Sequence, residues 1–292
     1  MNLGIILPGG TSTSGSDNRK RPCRILFPFS VVAPPVDIKR IQIDPHVGLV
    51  ICRIPYKKGE NFGCRFMNRR LKRKLDRIFA EEGVLSVIEH PDIRNLYGSH
   101  KARYESVLRE IAVSRFTELL SMAYRGAGLN RIEVTVTGCQ RHLEYAITRL
   151  ISMVKTINVL IPEGFAEPGT AEEAFDETGI PVHITSDPGV LNRTPLWIRF
   201  PNDHESFDSL PGAFLGRIVD LGALKIIDTR AKRIYDICLE LPEQLLGEAE
   251  ALPYQFGYMR LPAFIAANCA NAWGESATEA SIRLSMRLNL KP

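Results

Sequence analysis

The chain has 292 residues, 45% of them hydrophobic and 24% charged, and a formal net charge of +4. This is the composition of a soluble globular protein, long enough for two ordinary domains with a core each. No run approaches eighteen apolar residues, which argues against a membrane span, and so small a charge does not by itself imply a nucleic-acid partner. The six cysteines (Cys23, Cys52, Cys64, Cys139, Cys238 and Cys269) include no C-x-x-C pair. Free thiols in a cytoplasmic protein are therefore expected, with no zinc cluster or disulfide framework. The first ten residues lack the basic segment and apolar length of a signal peptide.

Residues 1–22 read as a flexible arm. Gly9 and Gly10 follow an apolar run, but no Lys-Ser or Lys-Thr pair follows at phosphate-loop spacing. Strands are expected at 25–32, 38–43 and 47–54, separated by Pro34-Pro35 and Pro45-His46. A helix over 67–80 has Met67, Leu71, Leu75, Ile78 and Phe79 on its apolar side. Its other side, with Arg65, Arg69, Arg70, Lys72, Arg73, Lys74 and Arg77, reads as a solvated face or as a surface for RNA phosphates or a protein partner. A short strand at 84–88 and a long helix over 104–124 follow. Gly126 and Gly128 mark the expected end of an α/β domain covering 23–127.

The next stretch organises the rest. Ile132, Val134 and Val136 form a β-branched run ending at Gly138, and Leu143, Ala146, Ile147, Leu150, Ile151 and Val154 recur at steps of three and four. Residues 157–161 form a second apolar run, closed by Pro162, Glu163 and Gly164. Strand, turn, helix and strand make a right-handed βαβ unit, the opening of a mostly parallel three-layer α/β/α domain over 128–245. A helix over 170–178 and strands at 182–185, 196–200 and 223–227 continue the alternation. Residues 246–292 are expected to be helical, through 264–273 and again from about 275.

The run from Arg131 to Arg230 resembles the Rossmann domain of the shikimate dehydrogenase and glutamyl-tRNA reductase type. The residues carrying the resemblance are Glu163 at the end of the second strand, LWIRFPN at 196–202 and ALKIIDTR at 223–230. FGYMRLPAFIAANCANAW at 256–273 is similar to the C-terminal helix that returns toward the cleft between domains in shikimate dehydrogenases. The resemblance implies an NAD(P)-dependent oxidoreductase, with NAD(P) as cofactor.

The residues themselves point to a degenerate version of that site. In a G-x-G-x-x-G register starting at Gly138, the second and third glycine positions hold Gln140 and Leu143. Those glycines allow close approach of backbone to pyrophosphate and of helix to strand. The expected site is therefore the turn Gly138, Cys139, Gln140 and Arg141, with Glu163 available to ribose hydroxyls. A nucleotide or other small anionic ligand, bound in the interdomain cleft, is expected in preference to an extended dinucleotide at this turn, and the turn reads equally well as a sealed connection. Cys139 sits at a helix start, a position that favours thiolate. His204, in a loop following a strand, is the acid/base candidate, whereas His183 reads as a satisfied core residue. No metal-ligand spacing links the six histidines. The oligomeric state is left open, a homo-oligomer among the possibilities.

Overall fold

The structure is a computed structural model describing residues 1–9, 35–55, 65–90, 93, 96–97, 101–124, 128–201, 214–222, 233–241 and 260–291. The chain divides into two compact units, residues 1–104 with 243–276 and residues 105–242 with 277–292. The first boundary falls in the opening turn of a helix, not at Gly126–Gly128 as the sequence suggests.

The first unit holds β1 (Asn2–Gly9), β2 (Asp37–Asp44), β3 (Val47–Pro55), α1 (Arg65–Glu81) and β4 (Val84–Glu89). Its sheet has the order β2-β3-β1-β4, with β1 parallel to both neighbours and β2 antiparallel to β3. The expected arm over 1–22 thus begins with a central strand. Leu3, Ile5 and Ile6 are fully buried, because a parallel strand covered on both faces reads as a continuous apolar run without alternation. Residues 10–22 and the expected strand at 25–32 lie outside the described residues.

Helix α1 lays Leu71, Leu75, Ile78 and Phe79 against Ile6, Val50, Cys52 and Ile54. Arg69, Lys72, Arg73 and Arg77 are exposed on its other side. The C-terminal helix, designated α6 below (Arg260–Trp273), belongs to this unit and packs on β4. Its Phe264 meets Tyr104 edge-on at 5.3 Å.

The helix expected over 104–124 is two helices, α2 (Lys101–Ser114) and α3 (Phe116–Ala123). Arg115 between them has φ −114° and ψ 21°. Its guanidinium binds both carboxylate oxygens of Glu118 at 2.8 Å, and Ser281 Oγ and the Met286 carbonyl at 3.2 Å. Phe116, Leu119, Leu120 and Ala123 enter the core of the second unit.

There follow β5 (Glu133–Thr137), α4 (Gln140–Leu150), β6 (Thr156–Leu160), α5 (Thr170–Thr178), β7 (Val182–Thr185), β8 (Leu196–Arg199), β9 (Arg217–Asp220) and β10 (Arg233–Glu240). After α6 come α7 (Ala277–Arg283) and β11 (Arg287–Lys291). The sheet runs β11-β10-β9-β8-β5-β6-β7. Its strands are parallel from β10 to β7, with β11 antiparallel at the edge.

The fold is therefore mixed α/β with a largely parallel sheet, β5 central and β6 beside it. The expected strand at 223–227 lies outside the described residues. Strand β9 has an apolar centre of only Ile218 and Val219 between charged ends, too short a run to show in the sequence. The final helix expected from 275 stops at Arg283. Ser285 turns the chain with φ 54°, the Met286 amide bonds the Ser281 carbonyl at 2.9 Å, and the alternating RLNLK becomes an edge strand. His183 in β7 is exposed. β7 is the outermost described strand, so no strand beyond it shelters this histidine, and the core reading of this residue is corrected.

Candidate functional site

Numbered within the second unit, the six described parallel strands lie in the order 3-2-1-4-5-6. In such a sheet ligands bind outside the carboxyl ends of the strands where the order reverses. Here that point lies between β5 and β8, at Gly138 and at the Phe200-Pro201 segment.

The two segments are bonded to each other. The Phe200 amide donates to the Thr137 carbonyl at 2.7 Å and the Cys139 amide to the Pro201 carbonyl at 3.3 Å. A Cβ placed on Gly138 would lie 2.7 Å from Phe200 Cβ. Phe200 is 1% exposed, meets Phe116 edge-on at 5.2 Å and stacks on His142 at 5.8 Å. The space over Gly138 is thus taken by Phe200. Gln140 is exposed, its amide directed to Glu144 Oε1 at 3.2 Å. Leu143, at the third glycine position, is buried with the apolar stripe of α4.

Beside the closed crevice lies a cleft of about 520 Å³ within the second unit. Helix α2 contributes Ser106, Arg109 and Glu110, α4 contributes Arg141, His142 and Tyr145, and Pro201 completes one wall. The phenol of Tyr145 donates to the Ser114 carbonyl at 2.9 Å, which links the two helices. Among the described residues neither Arg109 nor Arg141 has an ion-pair partner. His142 Nδ1 is 3.0 Å from the Pro201 carbonyl and 3.2 Å from Cys139 Sγ.

Of the residues read from the sequence, Arg141 lines this cleft. Gly138 lies under Phe200, and Cys139 is the residue before α4, at the edge of the same turn. Glu163 is exposed in the turn after β6, next to Gly164 with φ 82°. His204 lies outside the described residues. Arg109, His142 and Tyr145 were not expected. The pair on α4 follows from its outward face, but nothing in the sequence brings α2 alongside.

The second unit is thus a doubly wound α/β domain of Rossmann-like topology, and this class rests on its strand order. Set beside solved structures, the chain is similar to a UDP-glucose dehydrogenase from the hyperthermophilic archaeon Pyrobaculum islandicum. The identity is 17% over 60% of this chain and 37% of that one, with a TM-score of 0.31. It is also similar to an L-tryptophan dehydrogenase from Nostoc punctiforme, at 14% identity over 81% of this chain and 74% of that one, with a TM-score of 0.27. A Granulicella formate dehydrogenase matches at 12% identity over 75% of each chain, with a TM-score of 0.28. Likenesses of this degree carry no argument about activity. No protein-family model and no curated protein matches the sequence. Among the described residues, no helix is long and apolar enough to cross a membrane, and no group of three or more His, Cys, Asp or Glu is placed to hold a metal.

Proposed function

We propose that the second unit keeps the scaffold of the shikimate dehydrogenase and glutamyl-tRNA reductase type but binds a small anionic ligand in the α2–α4 cleft. A dinucleotide in the ordinary pose does not fit. The pyrophosphate would need the backbone surface at Gly138, which Phe200 covers, and the Cys139 amide, which Pro201 has taken.

The observation that carries the reading is the pair Arg109 and Arg141. Arg109 and Arg141 both line one cleft, and guanidinium is the side-chain group best matched to carboxylate and phosphate. The volume suits a small molecule.

Calorimetry with inorganic phosphate, adenosine monophosphate, NADH and NADPH tests this. The first two should bind, and Arg109→Gln or Arg141→Gln should each weaken them about ten- to a hundredfold, as for a lost charged hydrogen bond. Micromolar binding of either dinucleotide, weakened by Glu163→Ala, would overturn the proposal in favour of an NAD(P)-dependent oxidoreductase.

A further inference from the structure

Across β5, β6 and β7 the sheet has two unlike faces. Val134, Val136, Ile157 and Val159 point one way and are fully buried. The alternate positions, Glu133, Thr135, Thr156, Asn158, His183 and Thr185, are all polar. The registers of Thr135 with Asn158 and of Asn158 with His183 set these residues in one row across adjacent strands. Glu133 stands beside Thr156 in the row before it.

The right-handed β5-α4-β6 and β6-α5-β7 crossovers place both helices on the apolar face. The polar face is left to the return from β7 to β8, residues 186–195, where a parallel sheet ordinarily has a covering helix. This return holds only the short 3-10 helix Pro188–Asn192. Its Val190 and Leu191 pack with Leu160, and a pocket of about 440 Å³ remains over Glu133, Thr156, Asn158, His183 and Thr185.

Asn158 is the most buried of the polar groups lining it, at 4% exposure. Among the described residues its side chain makes one hydrogen bond, a long one, from Nδ2 to Thr194 Oγ1 at 3.5 Å. The protons fix which way the amide faces. Thr194 donates its hydroxyl proton to the Val190 carbonyl at 2.9 Å, so the Asn158 atom facing Thr194 must be the donor nitrogen. Oδ1 is therefore turned from Thr194, with no partner among the described residues. A buried amide carbonyl without a partner lowers stability, and the fold makes no use of this one.

We propose that this pocket binds a neutral polyhydroxylated ligand, a monosaccharide or cyclic polyol, through Asn158. The deepest group is uncharged, whereas a charged ligand would need a counter-charge at that depth. Glu133 is partly exposed, and Asp187 and Arg193 are exposed at the rim. A hydroxyl both donates and accepts, so one ligand hydroxyl donates to Oδ1 while a neighbouring one accepts the second Nδ2 hydrogen. Thr185 Oγ1 already accepts from the Asp187 amide at 3.1 Å and still has its own proton to donate. The volume suits a small molecule. The site shares no residue with the α2–α4 cleft and does not rest on the anion-binding reading.

The test is calorimetric titration of the full chain with glucose, galactose, ribose and myo-inositol, each to about 10 mM, tenfold above a millimolar Kd. At least one should bind. Asn158→Leu removes both polar atoms at nearly the same volume and should weaken that binding about tenfold or more, as for a lost buried hydrogen bond. Binding by none of these probes, or binding that survives Asn158→Leu, would overturn the proposal. So would tighter binding of glycine or ethanolammonium than of every neutral probe, since the pocket would then serve a charged ligand. The native protein gives a second reading that needs no variant to fold. Its Asn158 side-chain amide signals should move in proton–nitrogen spectra as the bound probe is added, and signals unmoved at saturation would equally refute the assignment.

Discussion

Gly138 separates the two uses to which this turn can be put. If it were a cofactor glycine, a methyl group there would leave the fold alone and obstruct a ligand. In the structure the obstruction already exists, so the methyl group meets the protein itself. The added Cβ would lie 2.7 Å from Phe200 Cβ, 3.5 Å from His142 Cβ and 3.6 Å from Phe200 Cα. The nearest of these is attached directly to the backbone of a residue 1% exposed, so it cannot swing aside. Gly138 is not among the glycines with positive φ, and steric contact is the whole of the penalty.

Overpacking of this kind costs about 1–3 kcal/mol. For a domain of this size that lowers the thermal midpoint by about 2–12 °C. The control is Gly169→Ala, where no described atom lies within 4 Å of the added Cβ and backbone entropy in the unfolded chain favours alanine by about 0.4–1 kcal/mol. Both variants are measured by urea and thermal unfolding. If Gly138→Ala is within about 0.5 kcal/mol of native while dinucleotide binding is lost, the contact with Phe200 is not what the glycine serves, and the closed-crevice reasoning fails.

Three further outcomes are expected. Thr194→Val should cost about 1–3 kcal/mol, because Thr194 Oγ1 accepts from the buried Thr135 hydroxyl at 2.8 Å and from Asn158 at 3.5 Å; the valine variant proving no less stable than Thr194→Ser would count against it. Burial and the Glu82 carboxylate push the Cys52 thiol up to about 11, so timed alkylation at about pH 8 with peptide mapping should modify the partly exposed Cys139 before the buried Cys52, Cys238 and Cys269. The Arg40 guanidinium, 2.9 Å from Glu82 Oε2, holds the Glu82 carboxyl below its ordinary value. The stability gap between native protein and Glu82→Gln should therefore be fully present above the unfolded carboxylate value of about 4.3 and close as pH falls through the lower folded value; a gap unchanged down to about pH 2 would refute the linkage.

The parts of the fold legible in the sequence are those whose burial imposes a long pattern. Val134 and Val136 in β5, Ile157 and Val159 in β6, and the stripe Leu143, Ala146, Ile147 and Leu150 on α4 are all at most 1% exposed, and each repeats at the period of its element. Strand β1 is as buried, but eight residues ahead of a glycine pair carry too little context to distinguish a strand from the start of an arm. Strand β11 alternates over five residues only, and the break before it depends on the left-handed Ser285, which no local signal marks. At the site, the sequence reveals the turn and the absence of the second and third glycines. It does not reveal that Phe200, 62 positions from Gly138, is the residue that fills the crevice, because that contact follows from the β5–β8 register of Thr137 with Arg199. Arg109 was out of reach for the same reason, since α2 comes alongside α4 only in the folded unit.

The energetics of the turn explain why a ligand site would lie beside the switch point instead of at it. A dinucleotide in the ordinary pose must displace Phe200 or Pro201. Exposing a buried phenylalanine costs about 1.5–3 kcal/mol, and losing its edge-on contact with Phe116 costs about 0.5–1.5 kcal/mol more. The Cys139–Pro201 hydrogen bond contributes about 0.5–1.5 kcal/mol, which a charged pyrophosphate oxygen would replace with a stronger one. The end of α4 offers an incoming charge about 0.3–1 kcal/mol. Displacing Phe200 therefore costs more than the helix end returns to a single charge, even when the smallest of its two costs are taken. The α2–α4 cleft requires no such displacement. Arg141 is already exposed, Arg109 partly so, and His142 is held by the same Pro201 carbonyl and Phe200 ring that close the crevice. The closure that removes the ordinary site thus orients a side chain in the neighbouring one.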